Sequence, residues 1–288
     1  MTGLTRRGAS SRQARRRRRP RVPGLMILLS LLVLLTGCAG GAGPLVVTLK
    51  PTVSESPASG AASAGASPSE ADAGSTDAAA PPVNVAVGSA NVSGNLNTVV
   101  VLGDSISTGF QTSVQDSWPN VLVQDFARLG ENLTLYNAAE NGAGYLVPGS
   151  GGLTFSEQAR AVVPEAQIVV VYGTENDIGE DVSQIPGEMA KVASYVRARA
   201  PQATLLFVGP ASYTTEVDPD LLTIRDQIRD GAAALGDTFI DPIAQEWIMG
   251  AKAELIGPDG DHPTVLGHQY LAQKFEDILL PYLRKPEG

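Results

Sequence analysis

Beyond residue 37 this chain has little positive charge: 12 Lys and Arg stand against 30 Asp and Glu, a net charge near −18. Such a surface repels phosphate backbones, so no nucleic-acid partner is expected. Cys38 is the single cysteine, which excludes an internal disulfide. His262 and His268 are the two histidines, so an imidazole base has two places to stand. Long apolar runs are also missing. The longest, residues 25–35, is 11 residues interrupted by Ser30, about half of the roughly 20 that a membrane-spanning helix needs.

The basic residues that are present are concentrated at the start. Residues 1–24 hold nine arginines and no acid, the apolar run follows, and Thr36-Gly37-Cys38 closes it with small residues. That order is an export signal. Leu35-Thr36-Gly37-Cys38 resembles a bacterial lipobox, and the resemblance implies removal of residues 1–37 and lipidation of Cys38. The mature protein is then expected to be extracytoplasmic and lipid-anchored to the bacterial cell membrane. An uncleaved anchor and ordinary secretion are the alternatives.

Residues 38–96 are dominated by Ala, Gly, Ser and Pro, as in Ser54-Glu55-Ser56-Pro57-Ala58-Ser59-Gly60. Such a composition buries too little apolar surface to offset the entropy of ordering, which predicts a disordered tether. At roughly 5–6 Å × √n, its typical end-to-end distance is about 40 Å. Local order is expected at most in patches such as residues 44–49.

Residues 97–288 have the texture of one globular domain. Apolar runs at Thr98–Leu102, Leu133–Asn137, Gln167–Tyr172, Thr204–Val208 and Thr238–Ile240 read as strands. Helical periodicity fills the stretches near 116–129, 155–163, 184–200, 219–235, 243–249 and 264–284. Strands of Val, Ile and Leu without polar alternation are buried on both faces, as in parallel sheets. The alternation predicts a three-layer α/β/α fold around a five-stranded parallel sheet. Ligands of such sheets sit at the carboxyl ends of the strands. Ser105, Gly142 and Asn176 follow the first three strands, so they share that end.

Ser105 stands in Gly103-Asp104-Ser105, a tight strand-to-helix turn that can present a hydroxyl; the same residues also suit a helix N-cap. It is not the Gly-x-Ser-x-Gly elbow of α/β-hydrolases. Asp259-Gly260-Asp261-His262-Pro263 supplies an imidazole with a carboxylate three residues earlier, the pair that turns a serine into a nucleophile. A capping turn, or a metal site from Asp259, Asp261, His262 and His268, would use the same residues, although the spacing matches no common metal motif. Acyl transfer also needs oxyanion donors, and the small-residue loop Asn137–Gly144 and the amide of Asn176 lie at the right end of the sheet. Asp104 and Asp177 are expected to hold loops. Glu140, Glu175 and Tyr145 are pocket candidates, and Trp247 and Asp241 suit packing and capping.

These four blocks, taken together, resemble the SGNH (GDSL-type) hydrolase family over residues 97–284. The resemblance implies a flavodoxin-like SGNH hydrolase fold and a serine esterase. It makes Ser105, His262 and Asp259 catalytic, and the Ser105 and Gly142 N–H groups with the Asn176 amide the oxyanion donors. No metal or cofactor is implied. The third block departs from the family pattern, with two residues rather than one between Gly173 and Asn176, and Ala139 replaces a frequent glycine of the second. The expected substrates are acyl, including O-acetyl, esters of small molecules, envelope glycans or lipids, handled by a monomer. An acyltransferase and a non-catalytic glycan-binding module are the alternative functions.

Overall fold

A computed structural model describes residues 46–48, 81–87 and 97–283. The export signal, Cys38 and most of the 38–96 stretch lie outside the described residues. Five parallel strands form where the apolar runs predict them. In chain order the strands are β1 (Val46–Thr48), β2 (Asn84–Val87), β3 (Asn97–Leu102), β4 (Leu133–Asn137), β5 (Ile168–Tyr172), β6 (Thr204–Val208) and β7 (Thr238–Ile240). The sheet has seven strands, in the order β1-β2-β4-β3-β5-β6-β7. Strands β4-β3-β5-β6-β7 are parallel throughout, whereas β1 and β2 add to the β4 edge antiparallel.

The expected five-stranded sheet is therefore extended by two strands from the stretch read as a tether. Asn84-Val85-Ala86-Val87 follows a Pro-Pro pair, and its β-branched residues suit a pleated edge. It pairs with residues 134–137, and Ala86 is buried in the core.

The helices are α1 (Ser105–Thr108), α2 (Trp118–Arg128), α3 (Phe155–Gln158), α4 (Ile185–Arg199), α5 (Pro219–Leu235) and α6 (Val265–Leu279). Strand residues alternate between two cores, as the period of two requires. Val100, Leu102, Val169, Val171 and Phe207 pack with residues of α4 and α5. Val99, Val101, Val170, Leu206 and Val208 pack with residues of α2 and α6. On that second face Trp118 stacks on Phe275, with ring centroids 3.8 Å apart.

The helix expected near 243–249 is a series of turns. Asp241 accepts from the Ala244 N–H at 2.9 Å, and Glu246 takes a positive φ of 49°, which ends any helical run. Trp247 is buried there, in its expected packing role.

Candidate active site

Strand β3 ends at Leu102, and after Gly103 and Asp104 the chain turns at once into the short helix α1. Asp104 caps that helix, accepting from the Ile106 N–H at 2.9 Å. Ser105 is thereby held at the first helical position, at the carboxyl end of the sheet. The buried Gln158 side chain clamps the same turn. It accepts from the Gly103 N–H at 2.9 Å and donates to the Gly103 carbonyl at 3.0 Å. No motif marks Gln158; its burial inside a helix is legible only in three dimensions.

The loop from residue 257 to 264 brings His262 across the sheet end. Its Nε2 lies 3.0 Å from the Ser105 Oγ, and its Nδ1 lies 2.8 Å from Asp259 Oδ2. Asp259 Oδ1 also accepts from the Asp261 and His262 N–H groups, each at 3.1 Å. These hydrogen bonds from the His262 backbone and ring hold the Asp259 carboxyl below the usual carboxylate range. The Phe110 ring meets the imidazole edge-on at 4.8 Å. Pro263 bridges to Ile256, and Thr264 caps α6 by accepting from the Gly267 N–H at 3.2 Å, so the loop is anchored at both ends.

Asn176 sits in the 3₁₀ turn Glu175–Asp177 after β5. Its amide donates to the Ala143 carbonyl at 2.9 Å and to Asp104 Oδ2 at 3.2 Å. Asp104 also accepts from the Thr174 hydroxyl, so one carboxyl ties the Ser105 turn to the Asn176 turn. Burial pushes Asp104 up to about 7, although the Thr174 hydroxyl and the Ile106 N–H pull it down. Gly142 lies in the loop after β4 with φ of 76°, a conformation open to glycine. That loop is fastened by Asn141, whose Oδ1 accepts from the Thr108 hydroxyl at 2.5 Å, and by Asn137, which donates to the Ser107 carbonyl at 2.7 Å.

Asp177 holds its loops as expected, accepting from the Tyr145, Leu146 and Val147 N–H groups at 2.8, 2.9 and 3.2 Å. Glu140 does the same for Gly151 and Leu153. Tyr145 is buried against Phe155. Ser107 is buried and accepts from the Trp118 indole, away from His262. His268 is fully buried, with Nδ1 accepting from the Trp118 N–H at 3.3 Å. Burial pushes it down to about 4. It does not join Asp259, Asp261 and His262, and among the described residues no cluster of three His, Cys, Asp or Glu is placed to hold a metal ion.

Two hollows flank the His262 loop. One, of about 530 Å³, is lined by Glu175, Ile178, Tyr213, Val217, Leu221 and Asp261. The other, of about 560 Å³, is lined by Gln111, Thr112, Pro258, Asp259, Pro263 and Val265. Glu175 and Asp261 both line the first hollow. Burial, with Asp104 and Asp261 nearby, pushes Glu175 up to about 8.

Comparison with known proteins agrees with this geometry. Residues 101–270 match the model of the GDSL-like lipase/acylhydrolase family. The chain belongs to that family. A GDSL lipase of Mycobacterium tuberculosis is 40% identical over 190 residues, covering 64% of this chain and 82% of the relative. The esterase TesA of Pseudomonas aeruginosa is 24% identical over 188 residues, 65% of this chain and 89% of that one. Among solved structures, a lipase/acylhydrolase from Enterococcus faecalis superposes with a TM-score of 0.52 at 17% identity, over 67% of this chain and all of that one. As a GDSL-family member, the protein is a serine hydrolase that acts on carboxylic ester bonds. The matched segment begins in β3 and ends in α6, so it contains every predicted site residue except Cys38.

Proposed function

We propose that the protein hydrolyses acyl esters through a Ser105–His262–Asp259 triad and an acyl-enzyme. The observation that carries this reading is the continuous contact from Asp259 Oδ2 through both ring nitrogens of His262 to the Ser105 Oγ. His262 Nε2 takes the Ser105 proton as Oγ bonds to the ester carbonyl carbon. Asp259 accepts from Nδ1–H, which fixes the tautomer and stabilises the imidazolium. The oxyanion is received by the N–H groups of Ser105 and Gly142 and by the Asn176 amide. Collapse breaks the bond to the alcohol oxygen, which takes the proton from His262 and leaves. Water then gives a proton to His262 as it attacks the acyl carbon, and the acyl–Oγ bond breaks as His262 returns that proton to Ser105, freeing the carboxylic acid.

The Asn176 amide already has three acceptors, of which Asp104 at 3.2 Å and the Thr174 hydroxyl at 3.4 Å are weaker than the Ala143 carbonyl at 2.9 Å. That donor swings to the oxyanion when charge develops there. The two hollows beside the His262 loop provide separate room for the acyl and alcohol portions of an ester. The substrate class is acyl esters, O-acetyl groups included, of glycans or lipids in the cell envelope. It follows from an export signal ending in Cys38, whose lipidation would hold the domain, by a chain of Ala, Gly, Ser and Pro, within reach of the membrane surface. A fluorophosphonate, which traps an activated serine, tests the triad: the adduct is expected on Ser105 and is absent in Ser105→Ala.

A further inference from the structure

Phe110 is an apolar ring left 40% exposed beside the proposed base. Single exposed apolar side chains are ordinary on a protein surface. What sets this one apart is the backbone that holds it. Gln111, the next residue, has a φ of 67°, and Glu246 is the one other non-glycine residue at positive φ among the described residues. Such a conformation is costly for a residue with a side chain and persists only where its surroundings enforce it. Here they do. The Thr112 N–H and hydroxyl both donate to the Gly109 carbonyl at 3.0 Å. Gly109 has a φ of 82°, and a Cβ there would run into the Ser113 carbonyl. The Ser113 hydroxyl donates to Asp116 at 2.6 Å. The turn therefore fixes the Phe110 ring edge-on to His262, with centroids 4.8 Å apart.

The chemistry of His262 says what passes this ring. In the acylation step Nε2 hands its proton to the alcohol oxygen, which must then lie within about 2.6–3.2 Å of that nitrogen. The first atoms of the alcohol portion thus stand against the imidazole, and Phe110 stands against the same imidazole. Beside the ring, from Gln111 onward, lies the hollow of about 560 Å³ walled by Pro258, Pro263 and Val265. Its one charged lining residue is Asp259, already bonded to His262. Val265 and Leu266, 40% and 58% exposed, continue the apolar surface at the start of α6.

We propose that Phe110 is a specificity-determining residue that packs against an apolar alcohol portion of the ester, the remainder of which enters the hollow beside it. The inference rests on the triad reading above. It assigns the alcohol to the Phe110 side and leaves the hollow lined by Ile178, Tyr213 and Leu221 for the acyl portion. A ring packed on the Phe110 ring gains more than its buried area alone supplies. That gain enters kcat/KM for esters whose alcohol carries such a group and is missing where the alcohol is small.

The experiment measures kcat/KM for benzyl acetate and methyl acetate, which share an acyl group and release alcohols of similar acidity. It uses the full-length protein and its Phe110→Ala and Phe110→Tyr variants, with fluorophosphonate labelling of Ser105 in parallel. In Phe110→Ala the ratio of benzyl to methyl is expected to fall about fivefold or more, equivalent to about 1 kcal/mol. In Phe110→Tyr, which keeps the ring, the ratio is expected to stay within about twofold of wild type. An equal fall for both esters in Phe110→Ala means that the ring acts only by holding His262, and it overturns the proposal. An unchanged ratio in Phe110→Ala, or a ratio lost in Phe110→Tyr, overturns it as well. Absence of labelling at Ser105 in the wild-type protein overturns the triad instead, so the two failures are distinct. If the alanine variant does not fold, Phe110→Gln, which keeps bulk without a ring, carries the same expectation.

Discussion

At the scale of single residues the site is organised around the Asp104 carboxyl as much as around Ser105. It caps α1, accepts from the Thr174 hydroxyl and holds the Asn176 amide, so the proposed nucleophile and the proposed oxyanion donor share one support. Asn176→Ala removes the proposed oxyanion donor, which is expected to cost about 3–4 kcal/mol in the barrier and to lower kcat about 10²–10³-fold. Steady-state kinetics check it, with the loss expected in kcat rather than KM. An unchanged kcat would remove Asn176 from the mechanism. The sequence could offer Ser105, Gly142, Asn176, Asp259 and His262 as candidates because each stands in a short block with recognisable chemistry. Gln158 was not legible, because its meaning depends on Gly103, a partner far away in the chain.

At the scale of elements the His262 loop is positioned by how closely α6 approaches the segment before it. Gly267 sits in the first turn of α6, where an added Cβ would lie 2.1 Å from the Leu255 carbonyl oxygen, a backbone atom. Gly267→Ala must therefore push the helix start away from Leu255, taking Pro263 and His262 with it. Overpacking of this kind costs roughly 1–3 kcal/mol. We expect a lower Tm in calorimetry together with reduced activity; a folded variant of wild-type Tm would contradict the close approach. Strands β3 to β7 were legible from their unbroken Val, Ile and Leu runs. Strand β2 was hidden by the composition around it. The stretch 243–249 has helical periodicity, but the capping carboxyl of Asp241 and the positive φ of Glu246 turn it into successive turns.

At the scale of the whole molecule, Asp104, Glu175 and His268 make stability vary with pH near neutrality. Asp104 and Glu175 are raised by burial, from 3.8 to about 7 and from 4.5 to about 8. The folded state then holds protons that the unfolded chain has released, so their contribution is full at low pH and is lost as pH rises through those windows. His268 is lowered by burial from 6.5 to about 4, so its contribution is full above 6.5 and lost as pH falls toward 4. Below pH 6.5 the trends oppose each other, and between 6.5 and 8 only the carboxyls act. Each kcal/mol moves Tm by roughly 2–4 °C in a domain of this size. Tm is thus expected to fall from pH 6.5 to 8, and to fall less in Glu175→Gln. A flat or rising Tm over that interval would contradict the buried carboxyls.

The contact from Asp259 through His262 to Ser105 is the claim on which the rest stands, and one measurement tests it most directly. The protein and its His262→Ala variant are treated with a fluorophosphonate at neutral pH, and the adduct is mapped by peptide mass. The account predicts a single adduct on Ser105 that forms rapidly in the wild-type protein and becomes about 10³-fold slower or undetectable without the imidazole. An adduct on another serine, or labelling of Ser105 at the same rate in His262→Ala, would contradict it.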